Sequence, residues 1–541
     1  MAAQPAWLGA INMLALAAGL LCIAVGYLSR LALNPDGVSY LDLAAAMQQG
    51  DWSRFVQGYW SPLFPFLVGL IGMVTGATGS VLVPVTHYIN TLAAVAGVFL
   101  IWRWARAVAP MRPLFGQCAI AAFLLCSAGL PRIEAVTPDV LSLCVAIWLS
   151  HELLTHGGRR WLVTGALFGV SFLVKTSAWP WLLVTVPLRL WAAPDAPARR
   201  RVWSSTAACA LVMLAWVAPM SMKAGHPTLG SSGRLNYSWY IDANTSRLPD
   251  GDQGVNSAYR DVPIGNGQTI TVATFDDAAH WTYQPWGDPT AWAAKVMSDV
   301  GRAPSTTALA AYWLRMFGRV FGLWLLPMVL ATMLPAYLLH RRPRIWHELI
   351  TTQRDALVVG ALGLAGLLQF VVIHAEPRLI APYGIMLALG TIWWCTAAAP
   401  RPWPSQGLGR AANSIRQLLG WLGIATALAF AVPKFLEGIG STAHLIRATS
   451  QLDAFKERFA TLQPGTSQIA IIGPAAPALS AAYWTGMHVV MQIPPRSAQL
   501  LRSLPTDQQS AVVASLFSGR VSLLWMTAAD GGLQMLIVPP R

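Results

Sequence analysis

An aspartate stands at position 36 in the turn Asn34-Pro35-Asp36-Gly37, where a long apolar run, 7–33, comes to its end. A run of that length can cross a hydrocarbon layer of roughly 30 Å, so Asp36 is expected at a membrane surface. A carboxylate at that boundary can take a proton from a water-borne nucleophile while an apolar reactant stays in the lipid beside it. Further ionisable residues stand at the ends of later apolar runs. Glu134 and Asp139 flank Thr137-Pro138, Lys175 follows Phe172-Leu173-Val174, and His374, Glu376 and Arg378 share the stretch His374-Ala375-Glu376-Pro377-Arg378. Carboxylates that handle a proton, with Lys and Arg to absorb charge on a departing anion, make a coherent set.

Each residue also has a plainer reading. Asp36 after Pro35 suits a helix N-cap, Lys175 suits a lysine snorkelling from a helix end, Arg378 beside Glu376 suits a structural ion pair, and His374 suits an interfacial histidine. Against these stands the rule that an ionisable group with few charged neighbours among apolar segments is a functional candidate. Asp42 lies six positions beyond Asp36 and falls on a different helical face, whereas Tyr40 shares the face of Asp36.

The elements that must position these residues are apolar helices. Hydrophobic residues make up 55% of the 541 residues and charged ones 11%, against about 25% charged in ordinary soluble domains. Mean hydropathy is +0.49. The chain reads as mainly α, a polytopic bundle of about 11 transmembrane helices, with spans near 8–30, 81–102, 114–130, 138–154, 161–175, 177–193, 203–222, 317–339, 356–374, 378–397 and 417–435. The apolar stretch 62–76 is short, led by proline and broken by glycine, so it is expected as an interfacial or re-entrant helix.

The formal charge of +14 is spread over short loops and not gathered on one basic face, which argues against nucleic acid. Basic residues at Arg103, Arg106 and Arg112, at Arg159 and Arg160, at Arg199, Arg200 and Arg201, and in the loops after the eighth and tenth spans all follow even-numbered helices. The N-terminus is then cytoplasmic, and the loops after odd-numbered helices face the exterior. The first span reads as a retained anchor. All six cysteines fall inside expected helices, with no disulfide or metal spacing.

Two regions break the apolar pattern. One is a polar, aromatic-rich external loop, 223–307, where regular structure is not evident and Tyr237, Trp239, Tyr240, Trp281, Tyr283 and Trp286 suggest an interfacial belt or a sugar-stacking platform. The other, 441–541, carries strand-like runs at 468–472, 489–493, 521–525 and 534–538 with helical patterns between them, and reads as a small soluble α/β domain on the external side. The expected division is therefore a membrane domain, 1–440, including external loops 31–80 and 223–307, followed by this second domain.

The order Asp36-Gly37-Val38-Ser39-Tyr40, Gly50-Asp51-Trp52, Tyr59-Trp60-Ser61-Pro62-Leu63-Phe64-Pro65, Thr137-Pro138-Asp139, Phe172 to Thr176 and His374 to Arg378 resembles the GT-C superfamily of lipid-phosphosugar-dependent glycosyltransferases. Within it the chain is most similar to bacterial transferases related to the protein mannosyltransferases and the aminoarabinose transferase of lipid A. The resemblance covers roughly the first 400 residues. It implies a multi-pass protein of the bacterial cytoplasmic (inner) membrane that inverts a sugar as it moves it from a polyprenyl-phosphate donor to a glycan, lipid or protein acceptor.

By the same resemblance Asp36 is the general base, and Lys175, Arg378 and His374 hold the donor phosphate. Tyr40, Tyr59, Trp60 and Glu376 are expected against the acceptor or sugar. Relatives often carry Asp-Glu in the first loop, where this chain has Asp36-Gly37, so a second acid must come from elsewhere, with Glu134 and Asp139 the candidates. No cofactor is required by the residues, although a divalent cation such as Mg or Mn could sit between Asp36 and one of those acids. A transporter or flippase for a lipid-linked or polar solute is the competing reading, but it calls for charges near mid-helix and broken helices repeated in two halves, and neither is clear here.

Overall fold

The computed structural model describes residues 6–108, 133–241, 259–265, 267–296, 305–322, 353–397, 468–473, 475–517, 523–527 and 533–537. The expected spans 114–130 and 417–435, and most of 317–339, lie outside the described residues. In chain order the helices before the first strand are α1 (Ala6–Leu28), α2 (Pro35–Gln48), α3 (Trp52–Phe55), α4 (Leu63–Thr75), α5 (Leu82–Val108), α6 (Asp139–His156), α7 (Trp161–Val174), α8 (Trp179–Ala192), α9 (Ala196–Ala224) and α10 (Ser232–Tyr240). The strands β1 (Tyr259–Gly265) and β2 (Gln268–Thr274) come next, then α11 (Gln284–Gly287), α12 (Pro289–Val296), α13 (Thr306–Val320), α14 (Arg354–Val372) and α15 (Pro377–Ala397). The C-terminal part holds β3 (Gln468–Ile472), α16 (Ala476–Thr485), β4 (His488–Ile493), α17 (Pro495–Ser503), α18 (Thr506–Phe517), β5 (Leu523–Thr527) and β6 (Leu533–Ile537).

The fold is mainly α, with a small mixed sheet. Among the described residues four helical stretches are long and apolar enough to cross a membrane, namely Ile11–Leu28, Gly79–Arg106, Ala196–Ala224 and Arg354–Val372. Their outward faces keep large apolar side chains exposed, including Met13, Leu16 and Leu20 on α1 and Leu211 and Leu214 on α9. Such a band is unfavourable in water and suits lipid, so the chain is a multi-pass membrane protein. At 13 residues α4 is too short to cross, as expected for 62–76, and it ends at Gly76 with a left-handed φ of 72°.

The triple arginine 199–201, expected in a loop, instead lies within the first two turns of α9. Asp195 caps that helix by accepting from the Ala198 amide at 2.7 Å, and Pro197 sits in its first turn, so the helix begins well before the apolar residues do.

Helix α14 packs along α15, and glycines allow the close approach. A methyl group added at Gly363 would run into the backbone of Leu387 and the Tyr383 carbonyl, and one at Gly390 would meet the backbone of Gly360. This crossing carries His374 and Arg378 at its end. Gly363→Ala is expected to cost about 1–3 kcal/mol by overpacking, read as a lowered thermal midpoint of the detergent-solubilised protein. An unchanged midpoint would show that the helices separate without penalty.

The sheet runs in the order β1-β2-β4-β3-β5-β6. Parallel pairing joins β3 to β4 and β5, while the outer pairs are antiparallel. The four C-terminal strands match the strand-like runs of the sequence. The polar loop departs from expectation in that it holds regular structure. Its hairpin extends the C-terminal sheet, with Ala273 opposite Gln492, so the sheet spans the boundary drawn at 440. Alternation drives this, because Ile270 and Val272 point into the sheet's core with Ile472 and Ile493 while Thr269 and Thr271 point away.

Candidate active site

The starts of three helices and the end of a fourth meet at one cavity. Asn34 precedes α2 without capping it. Its Oδ1 accepts from the Val136 amide at 2.8 Å, tying the start of α2 to the turn that leads into α6. Asn90 donates to the carbonyls of Ala135 and Thr137, at 3.0 and 3.2 Å, and fixes the same turn. Lys175 ends α7, where the following Thr176 amide donates to Ser61 Oγ at 2.9 Å. Pro377 opens α15, with Arg378 in its first turn. Asp36 and Asp139 lie in the first turns of α2 and α6, where the helix dipoles favour negative charge.

The cavity, about 150 Å³ in volume, is lined by Asp36, Tyr40, Tyr59, Trp60, Asp139 and Lys175, and by His374, Glu376 and Arg378. These are nine of the ten residues singled out in the sequence. Glu134 is buried but does not line it, because the turn held by Asn90 carries Asp139 and not Glu134 to the cavity wall.

The side chains form one charged network. Arg378 Nη1 donates to Asp36 Oδ2 at 2.9 Å and lies 3.7 Å from Asp139 Oδ2, while its Nε donates to Glu376 Oε2 at 2.8 Å. Lys175 is ion-paired with Asp139, which also accepts from Thr137 Oγ1 at 2.8 Å. Glu376 Oε1 and His374 Nε2 are 3.2 Å apart, and the imidazole stacks flat on Tyr240 with centroids 3.7 Å apart. The second oxygen of Asp36 accepts from Trp286 Nε1 at 3.2 Å.

Asp36 is thus neither an N-cap nor turned to bulk solvent. Lys175 does not snorkel away from the site, and Arg378 does pair with Glu376 as the plainer reading held, while reaching two further carboxylates.

Burial pushes the Glu376 carboxyl up, but the His374 hydrogen bond and the Arg378 guanidinium outweigh it and hold the group well below the usual carboxylate range. A carboxyl lowered by folding contributes stability above its unfolded pKa, near 4.5, and that contribution is lost as pH falls toward the lower folded value. Glu376→Gln is therefore expected to flatten the acid limb of thermal stability below about pH 4.5, measured by melting in detergent. An unaltered limb would show that the pair adds nothing. Burial, with the Asp139 and Asp36 carboxylates, raises the Tyr40 phenol well above its ordinary range, so it stays protonated beside Asp36.

The aromatic wall comes from two parts of the chain. Trp60 lies edge-on to Tyr40, Tyr59 and Trp286 at centroid distances of 4.9, 4.8 and 5.2 Å. Of the loop aromatics only Tyr240 and Trp286 line the cavity, joined there by Ser232 and Asn236. Those two polar residues carried no signal in the sequence, since α10 enters the site through tertiary packing alone.

The carboxylates of Asp36 and Asp139 are each satisfied by Arg378 or Lys175, and Glu134 is elsewhere. Among the described residues no group of three or more His, Cys, Asp or Glu has metal-holding geometry.

No family model matches the chain, and no curated relative matches it. Among solved structures it is similar to ArnT from Cupriavidus metallidurans bound to undecaprenyl phosphate, at a TM-score of 0.49 and 14% identity, over 100% of this chain and 97% of that chain. It is also similar to ArnT from the same organism in the apo state, at a TM-score of 0.47 and 13% identity, over 94% of this chain and 93% of that chain. At these identities the likeness concerns the fold alone, and the functional reading rests on the side chains of the cavity.

Proposed function

We propose that the protein is an integral membrane glycosyltransferase that moves a sugar from a polyprenyl-phosphate donor to an acceptor hydroxyl at the exterior face, with inversion. The observation that carries this reading is one carboxylate, Asp36, opening on a cavity that also presents Arg378 and Lys175. The acceptor oxygen attacks the anomeric carbon as its proton passes to Asp36. The bond from that carbon to the phosphate oxygen breaks, and its electron pair leaves with the phosphate. A phosphate is a good leaving group, so the demand falls on the base and on the cations, not on a general acid.

Arg378 serves both partners in turn. It holds Asp36 at 2.9 Å. Its contacts use Nε and Nη1, leaving Nη2 without a partner among the described residues. A donor phosphate engaging that edge draws the guanidinium toward itself, because a doubly ionised bond to phosphate is short and strong. Asp36 then keeps only the Trp286 contact and can accept a proton. Lys175, paired with Asp139, supplies the second positive charge and is held in place by that pairing.

The reading is tested by incubating the purified protein with undecaprenyl-phosphate-linked sugars extracted from bacterial membranes and measuring free undecaprenyl phosphate. Release that depends on an added acceptor extract supports transfer. Binding or movement of the intact lipid-linked sugar without release would favour a transporter or flippase instead.

A further inference from the structure

We infer that Asp42 is a positioning residue for this reaction: its carboxyl grips Thr282 and so keeps the indole of Trp286 on the carboxylate of Asp36. The inference rests on the reading of Asp36 as the base. Asp42 lies outside the cavity, on the face of α2 turned to the polar loop, and is buried. Its Oδ2 accepts from the Thr282 amide at 2.9 Å, and its Oδ1 lies 2.8 Å from Thr282 Oγ1. Further contacts from the same end of the protein fasten the segment that follows. Ser39 Oγ and Trp60 Nε1 donate to the Trp286 carbonyl at 2.8 and 3.0 Å, and Gln57 Nε2 donates to the Gly287 carbonyl at 3.1 Å. The result is a closed ring. Helix α2 presents the base at its start and, by way of Asp42 and Ser39, holds the loop whose indole returns to that base.

The C-terminal sheet supports the ring from behind. Val489 donates its amide to the Thr282 carbonyl at 2.9 Å, His488 Nδ1 lies 2.9 Å from the Trp281 carbonyl, and Tyr283 donates to Gln492 Oε1 at 2.6 Å. Helix α16 reaches the membrane side as well, with Ser480 donating to the Leu33 carbonyl at 2.7 Å just before the Asp36 turn. The C-terminal part thus acts as the rigid backing that sets where Trp286 stands.

Titratable and charged groups face Asp42 from several elements. Arg54 comes from α3 and Tyr483 from α16. Burial outweighs the Thr282 hydrogen bonds and Arg54, pushing the Asp42 carboxyl up to about 7. Thr282 donates to the carboxyl through both its amide and its hydroxyl; on protonation the hydroxyl turns, the acid's O–H donates to Thr282 Oγ1 and the other oxygen still accepts the amide, so the neutral acid keeps the grip. Opening the loop would hydrate the group and return it to its ordinary value of 3.8. The closed form therefore binds the proton more tightly, is favoured at low pH, and loses that advantage as pH rises from about 4 to about 7.

Hydrogen exchange of residues 281–288 in the full-length protein in nanodiscs, scaled to intrinsic amide rates, tests the grip. In the wild type, scaled exchange should rise with pH by up to about tenfold per unit and level off above pH 7. Asp42→Asn reproduces the neutral acid, so its exchange should stay slow and flat with pH, whereas Asp42→Ala should be flat and at least about tenfold faster at low pH. Wild-type exchange in Asp42→Ala would overturn the proposal. Should that variant fail to fold, a wild-type pH slope in Asp42→Asn would overturn it equally. Native mass spectrometry of the same wild-type sample with undecaprenyl phosphate separates the two claims. Absence of binding there would sink the transferase reading, while the exchange data judge the grip by themselves.

Discussion

Asp36→Asn should lower transfer by about 10²- to 10⁴-fold, the usual contribution of a positioned base, while the protein folds and binds undecaprenyl phosphate as before. The substitution keeps the size of the side chain and an oxygen able to accept from Arg378 or Trp286, the two groups that hold it now. It removes the ability to take a proton from an acceptor hydroxyl. The comparison needs two readings on one preparation, release of undecaprenyl phosphate and its binding. Loss of both would mean that the substitution has disturbed the cavity as a whole. Wild-type turnover would remove Asp36 from the chemistry.

Arg378→Ala should weaken undecaprenyl phosphate binding by roughly 10- to 100-fold, the equivalent of one charge-assisted hydrogen bond, with a lowered melting temperature as a second effect. Both follow from one fact. The guanidinium neutralises Asp36 and Glu376 at 2.9 and 2.8 Å and stands 3.7 Å from Asp139. Without it, three carboxylates face one another across a cavity where, among the described residues, Lys175 is the Lys or Arg that remains, paired with Asp139. That cavity repels a phosphate. Arg378→Lys keeps the charge but cannot span the same partners with a planar fork, so it should recover part of the melting temperature and less of the binding. Undiminished affinity in Arg378→Ala would withdraw the phosphate role.

Much of the site was legible because membrane helices confine polar residues to their ends. Asp36, Asp139, Lys175 and Arg378 each mark the boundary of an apolar run, and in a bundle of apolar helices such boundaries fall together at one end. What the local pattern could not reveal was pairing. Nothing near Lys175 announces Asp139, since that contact depends on how α6 and α7 pack. Glu134 shows the same limit, for its side chain belongs to a turn, where no helical period says which way a residue points. The helical period turns Asp42 away from Asp36, which is correct for the cavity, but it gives no sign that the opposite face of α2 holds the loop.

The hairpin at 259–274 had a signal of its own in the alternation of Gln268-Thr269-Ile270-Thr271-Val272-Ala273-Thr274. Its partner strand carries Pro263, which obscures the pattern. Its place beside a strand more than 200 residues further on could be read only from the assembled sheet.

The most direct test is a cryo-electron microscopy map of the protein with undecaprenyl phosphate bound in nanodiscs. The account predicts phosphate density within hydrogen-bonding distance of Arg378, with the guanidinium turned from Asp36 and the Asp36 carboxylate still on the Trp286 indole. Phosphate density at another part of the protein, with Arg378 still clasped between Asp36 and Glu376, would contradict it.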